Sequence, residues 1–392
     1  MAATIKVYAP FPCTVVPGVD FDLDPANWNW AHYLTLPLET LTELQFSQKP
    51  YKWIRYAIGV VVGGEGDLSS SPDLLNVVDY DAGLPVESTV LYYRLNDQEK
   101  GRMFPVDPKV GRTHTTSSIA TTRRVQFRSD LSKRDRGTCV LTGEIDLLCD
   151  AVHLLAHSKG DAYITTYTQR RSRDPNGEDI VRDIDSIRNG LFLGKYTHAV
   201  LGTNVAFLAT PNFAMTTADV DPNTPATERR YTAHNFRLNE PAFLGYAAPG
   251  TPLRTLDTPE WPPNILFDAV YAQAVLHQFG DRTLMDRINA TWNSTFYPGG
   301  VMTAAPSSYN AIKDQRATNV ERTQNQAQGR EARTALESGP ELLYQLVTLQ
   351  ATLAPWNERE VMIREAQEKV EAEEQKRMQE TVESWRNQVP VT

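Results

Sequence analysis

Cysteine, long apolar runs and positive charge are all scarce in this sequence. Three cysteines, Cys13, Cys139 and Cys149, are scattered through 392 residues. An odd and sparse set does not build a disulfide framework and points to a reducing compartment. No stretch of about 18 apolar residues occurs, so neither a membrane span nor a membrane partner is expected. The opening MAATIKVYAPFPC lacks the apolar core of a secretory signal. The expected setting is intracellular, cytoplasmic or nuclear, and not secreted. Acidic residues outnumber basic ones, 48 against 39, for a net charge of −9. That balance does not favour polyanion binding over the whole surface, so a nucleic-acid contact needs a local basic patch. Gly63-Gly64-Glu65-Gly66 has no Lys-Ser/Thr ending, which sets aside a phosphate-binding loop and leaves a hairpin turn.

What is present is an ordinary globular composition, 41% apolar and 22% charged, long enough for two or three structural units. Residues 1–115 read as β-rich, because IKVYA, WIRYAIGVVV and STVLYYRL are β-branched and aromatic runs separated by turn residues. Residues 116–136 form a basic linker running into a short helix. Arg123, Arg124, Arg128, Lys133, Arg134 and Arg136 stand there against only Asp130 and Asp135, which makes this run the candidate phosphate contact. Arg170, Arg171 and Arg173 are a second one. Residues 137–220 bear the motifs. Residues 221–305 are mixed, with a buried helix over NILFDAVYAQAVLHQFG. Residues 306–336 read as a polar linker. Residues 337–392 read as C-terminal helices, with Glu360–Arg364 and Glu365–Lys369 at i,i+4 spacing and a thin apolar stripe suited to a homo-oligomer seam.

Within 137–220, Cys139–Gly143 reads as a strand and turn, and IDLLCDAVHLL as a second strand with His153 near its end. After a charged insertion, Asn189-Gly190 signals a turn, LFLG a short strand, and His198 lies where a helix opens. A hairpin followed by a helix brings one histidine on a strand toward one on a helix. Phosphodiester hydrolysis needs such a pair, one to take a proton from water and one to hold a cation, with an asparagine to fix the loop between them. His32, His114, His234 and His277 have no partners at comparable spacing and read as structural. Cys149 reads as a small buried residue.

These words resemble the HNH endonucleases. Cys139-Val-Leu-Thr142, Ala151-Val-His153-Leu154, Asn189-Gly190-Leu191-Phe192-Leu193 and His198, nine residues after the asparagine, follow the order of the family pattern. HSKGD and AFLATPNF further resemble uncharacterised fungal HNH-domain proteins. The resemblance implies an α+β protein with a ββα-metal core, here between a β-rich N-terminal region and a helical C-terminal region. It implies a nuclease acting on DNA, with His153 as general base, Asn189 fixing the loop, and His198 holding a single Mg²⁺, Mn²⁺, Ni²⁺ or Zn²⁺ ion. The sequence departs from the pattern at two ligand positions, where Val152 and Gly202 stand. Asp150 and His157 are the nearest replacements, although strand alternation turns Asp150 away from His153. Without a Cys-x-x-Cys pair, no structural zinc is expected. The departures, with the acidic balance, keep open a second function: an HNH-fold module that binds without cutting.

Overall fold

Over Thr4–Pro12, Ile5, Val7 and Ala9 are buried and alternate with more exposed residues, the period-two pattern of a strand, β1. In the computed structural model the described residues are 3–12, 24–73, 76–111, 122–237 and 248–296, with the backbone alone for 122–125 and 290–296. The chain divides into two units, Met1–Ala304 and Ala305–Thr392, and every described residue belongs to the first. The linker and helices expected over 306–392, and the oligomer seam on them, lie outside the described residues, as does Cys13.

β1 is joined by β2 (Trp28–Pro37), β3 (Gly66–Ser69) and β4 (Thr89–Leu95) in the order β2-β1-β4-β3, with β1 and β4 parallel and the other pairs antiparallel. Helices α1 (Leu38–Leu44), α2 (Pro50–Val62) and α3 (Asp97–Arg102) lie between and after these strands. The N-terminal region is therefore mixed, which corrects the β-rich reading. WIRYAIGVVV belongs to α2 and is not a strand. Pro50 sits in its first turn, and Gly63, at φ 84, closes it by donating to the Gly59 carbonyl at 2.8 Å. Nine residues between Trp53 and Val62 are buried. A run apolar on every side reads the same for a buried strand and a buried helix, so packing decides. The Gly63–Gly66 stretch is accordingly a helix cap leading into β3, not a hairpin turn.

The remaining elements follow as α4 (Thr122–Arg134), β5 (Cys149–His153), α5 (Gly160–Arg171), β6 (Gly190–Gly194), α6 (Lys195–Val200), β7 (Val205–Thr210), β8 (Arg230–Asn235), α7 (Asn264–Phe279) and α8 (Arg282–Phe296). β5 pairs antiparallel with β6, and β7 with β8. The fold is mixed α+β. Helix α7, foreseen in NILFDAVYAQAVLHQFG, is buried over almost its whole length and packs against α2 and β7. Among the described residues no helix is long and apolar enough to cross a membrane.

One polar chain crosses this core. The Tyr271 hydroxyl accepts from Trp53 Nε1 at 2.6 Å and lies 2.7 Å from His234 Nδ1, whose ring stacks on Phe46. Burial holds the His234 imidazole down at about 3. The unfolded chain therefore binds a proton that the folded one refuses. His234 favours folding fully above pH 6.5, and that contribution is lost as pH falls toward 3. Denaturant unfolding between pH 7 and 4 should show His234→Phe losing less stability per pH unit than wild type, by about 1.4 kcal/mol per unit. Equal slopes would remove His234 from the acid response.

Candidate active site

The site is assembled on α4, β5 and β6. Phe127 and Leu131 of α4 press on Gly190 so closely that a Cβ there would meet Phe127 Cζ at 2.5 Å. Only glycine fits, which gives the Asn189-Gly190 pair a packing reason in place of the turn. Arg134, 8% exposed, forks onto the fully buried Asp135 and donates to the carbonyls of Ile187 at 2.8 Å and Gly190 at 2.9 Å. Asp135 accepts in turn from the Phe192 amide at 2.9 Å. The pair braces β6 against α4 and is fully hydrogen-bonded, as a buried ion pair must be.

His153, at the end of β5, stacks on Phe127 with centroids 3.9 Å apart and planes at 9°. Its Nε2 lies 3.0 Å from Asp185 Oδ1, and His157 Nδ1 lies 2.8 Å from the same oxygen. Burial raises the Asp185 carboxyl, but the two imidazoles outweigh it and hold it down at about 2. Asn189 is wholly buried. Its Nδ2 donates to the carbonyls of Leu155 at 2.9 Å and Ile184 at 2.8 Å, and its Oδ1 accepts from the Leu155 amide at 2.9 Å. One side chain thus ties the loop that carries His157 to the loop that carries Asp185.

His198, on α6, is not in that group. Its Nδ1 lies 2.9 Å from Asp150 Oδ2, and the imidazole holds the Asp150 carboxyl below its usual range. Both side chains are partly exposed. Asp150, His153, His157 and His198 all line one cleft of about 720 Å³. Asp150 does not join His153, in keeping with strand alternation, yet it borders the same cleft. Among the described residues β5 pairs with β6 alone, and residues 150–154 in succession border the cleft, which runs along the strand. The expected ligands therefore divide: His198 joins Asp150, and His157 joins His153 and Asp185. The last three have donor atoms within 4.8 Å of one another, a group that could hold a metal ion.

Sequence reasoning passes over Asp185, whose one signal is an acid four residues before Asn189. It passes over Phe127 entirely, because nothing local links α4 to His153. Gly202 has φ 72, and its Cβ would meet Gln273 Oε1 at 3.0 Å, so a ligand side chain is strained there.

Of the basic run, the side chains of Arg123 and Arg124 lie outside the described residues. Lys133 and Arg136 are exposed. Arg128 lines the cleft, half-exposed, while bonded to the Cys149 carbonyl and to Asp146. The buried Arg134 is a brace and is removed from any contact surface. In the second basic group, Arg171 donates to the carbonyls of Phe104 and Val60, and Arg173 pairs with Glu99. Neither extends the cleft. Cys139 and Cys149 are buried free thiols. The Cys149 thiol and the amides of Thr142 and Gly194 hold Cys139 down at about 5 against the effect of burial.

Residues 139–203 match the model of a family described as HNH endonuclease. No curated protein and no solved structure matches the chain. The matched stretch runs from the Cys139 turn through both histidine–carboxylate groups to the turn after α6.

Asn189→Ala leaves three buried backbone groups without their partner. Denaturant unfolding should show a loss of about 3 kcal/mol, given 1–3 kcal/mol for each unsatisfied buried group and partial relaxation. A loss near zero would mean that the two loops hold themselves.

Proposed function

We propose that the protein is a metal-dependent endonuclease of the HNH type that hydrolyses phosphodiester bonds in DNA. The observation that carries this reading is the His153–Asp185 contact at the edge of the cleft. An Asp185 carboxyl held at about 2 is ionised at neutral pH, so Nε2 of His153 carries its proton toward it. His153 is then oriented to take a proton from water, and Phe127 keeps the ring plane fixed. The water oxygen forms the new bond to phosphorus while the bond to the 3′ oxygen breaks.

Asp150 and His198 fit a divalent cation. Their donor atoms lie 2.9 Å apart on the cleft wall, near enough to share one ion at bond lengths of about 2.1 Å. An ion with two protein ligands completes its shell with water and phosphate oxygens. When bound, it supplies charge stabilisation at the phosphate and the leaving oxygen. Arg128, Lys133 and Arg136, with Arg123 and Arg124, bear on the phosphate backbone. An intracellular setting, cytoplasmic or nuclear, and the likeness to fungal HNH proteins belong to the same reading. The second reading, a module that binds nucleic acid without cutting it, is favoured by Val152 and by the strained position of Gly202.

Plasmid nicking with Mg²⁺, Mn²⁺ and Ni²⁺ separates the two. Wild type should convert supercoiled DNA to nicked and linear forms. His153→Ala should slow this by about 10²-fold or more, the usual worth of a positioned base. His198→Ala should raise the ion concentration needed. DNA bound but intact with every ion would favour the second reading, and equal rates for His153→Ala would remove the proposed base.

A further inference from the structure

The group His153, His157 and Asp185 is a built arrangement. Its members come from the end of β5, from the turn His157–Lys159 and from the segment before Asn189. Both imidazoles aim one nitrogen at the same carboxylate oxygen, at 3.0 and 2.8 Å, and all three ligand atoms lie within 4.8 Å. The Asp185 side chain is 3% exposed, whereas that of His157 is 36% exposed and opens on the cleft. The buried Asn189 carboxamide fixes Leu155 and Ile184, the residues beside these two loops. A ligand set supported by buried second contacts holds its shape without the ion.

Two imidazoles and one carboxylate favour a borderline cation such as Zn²⁺, Ni²⁺ or Co²⁺ over Mg²⁺ or Ca²⁺, which prefer oxygen alone. Three protein ligands with an open fourth position also match the count of zinc sites that keep one place for water. The group is separate from Asp150–His198. Asp150 precedes His153 by three residues, about 10 Å along an extended strand.

We propose that His153, His157 and Asp185 form a binding site for a Zn²⁺-class cation, and that filling it arrests the nuclease by taking the His153 imidazole. The binding half stands on geometry alone; the arrest rests on His153 being the base. On binding, each imidazole directs a lone pair at the cation in place of an N–H at Asp185. The displaced protons move to the other ring nitrogens or to solvent, with no change of oxidation state.

The test uses the full chain freed of metal by a chelator. Co²⁺ is followed by its visible absorption, and Zn²⁺ by calorimetry. Wild type should bind one Zn²⁺ tightly and give a Co²⁺ spectrum with nitrogen ligation. His157→Gln and Asp185→Asn should each weaken this site by about tenfold or more, whereas His198→Ala should retain it. His157 is partly exposed, so its variant keeps the fold, and a thermal melt checks both. Should Asp185→Asn unfold, His157→Gln decides. No tight Zn²⁺ binding by wild type, binding unchanged in His157→Gln, or binding lost in His198→Ala overturns the site. In a Mg²⁺ nicking assay, the Zn²⁺ concentration that halves the rate should rise about tenfold in His157→Gln relative to wild type, matching the loss of a ligand. Zn²⁺ bound without arrest overturns the inhibitory half alone. No cleavage under any condition overturns the nuclease reading and the arrest with it, and the titration still decides the site.

Discussion

The Asn189 side chain is the constraint on which the site depends. Its three hydrogen bonds to Leu155 and Ile184 cross between the segment leaving β5 and the segment entering β6. One backbone bond, from the Leu154 amide to the Asn189 carbonyl at 2.8 Å, continues the β5–β6 pairing to this point, and the carboxamide adds three more beyond it. Without the carboxamide, His157 and Asp185 would sit on more loosely joined segments, and their convergence on His153 would carry a larger ordering cost. An amide suits the place because it both donates and accepts. An aspartate would turn an oxygen toward the Leu155 and Ile184 carbonyls, which need donors.

That constraint is transmitted to the rest of the fold by α4. Phe127 touches both the His153 ring and the Gly190 backbone, and the Arg134–Asp135 pair reaches β6 from the same helix. The helix whose basic composition suggests a phosphate contact thus has a second face that is structural. Composition does not separate the two roles; position along the helix does. Phe127, Leu131 and Arg134 recur at helical spacing of three and four and turn inward, while Lys133 and Arg136 stay exposed.

Much of the site was legible in the sequence because its key residues lie in short, ordered words. His153 near the end of a strand and His198 on the following helix occupy the elements that the spacing predicts, whereas Asn189 ends a short 3-10 helix and Gly190, at φ −140, already belongs to β6 and makes no Asn-Gly hairpin turn. The helix over NILFDAVYAQAVLHQFG was equally legible, as were the strands at IKVYA and STVLYYRL. Pairings between distant residues were not. Nothing in one dimension links Asp185 to His157, or Phe127 to His153, because each contact depends on how two loops or a helix and a strand meet. WIRYAIGVVV was misread for a different reason. β-Branched residues favour strands only by fractions of a kilocalorie, about 1 kcal/mol across the whole scale, and burial on every side of α2 outweighs that preference.

The two histidine–carboxylate contacts differ in burial, and that difference separates their chemistry. Asp185 is enclosed, and the two imidazoles beside it hold its carboxyl low against the effect of burial. A carboxylate so placed fixes the orientation and tautomer of a ring more readily than it exchanges ligands with water. Asp150 and His198 stand at the accessible wall of the cleft, within reach of solvent. The proposed assignment follows from this asymmetry: proton transfer at the enclosed pair and a substrate-completed cation at the open one. Gly202 fits the same logic. Its left-handed backbone and its closeness to Gln273 disfavour a third ligand from the turn after α6. In the proposed function the open pair draws its remaining coordination from the substrate, so that cation affinity and nucleic-acid affinity would rise together.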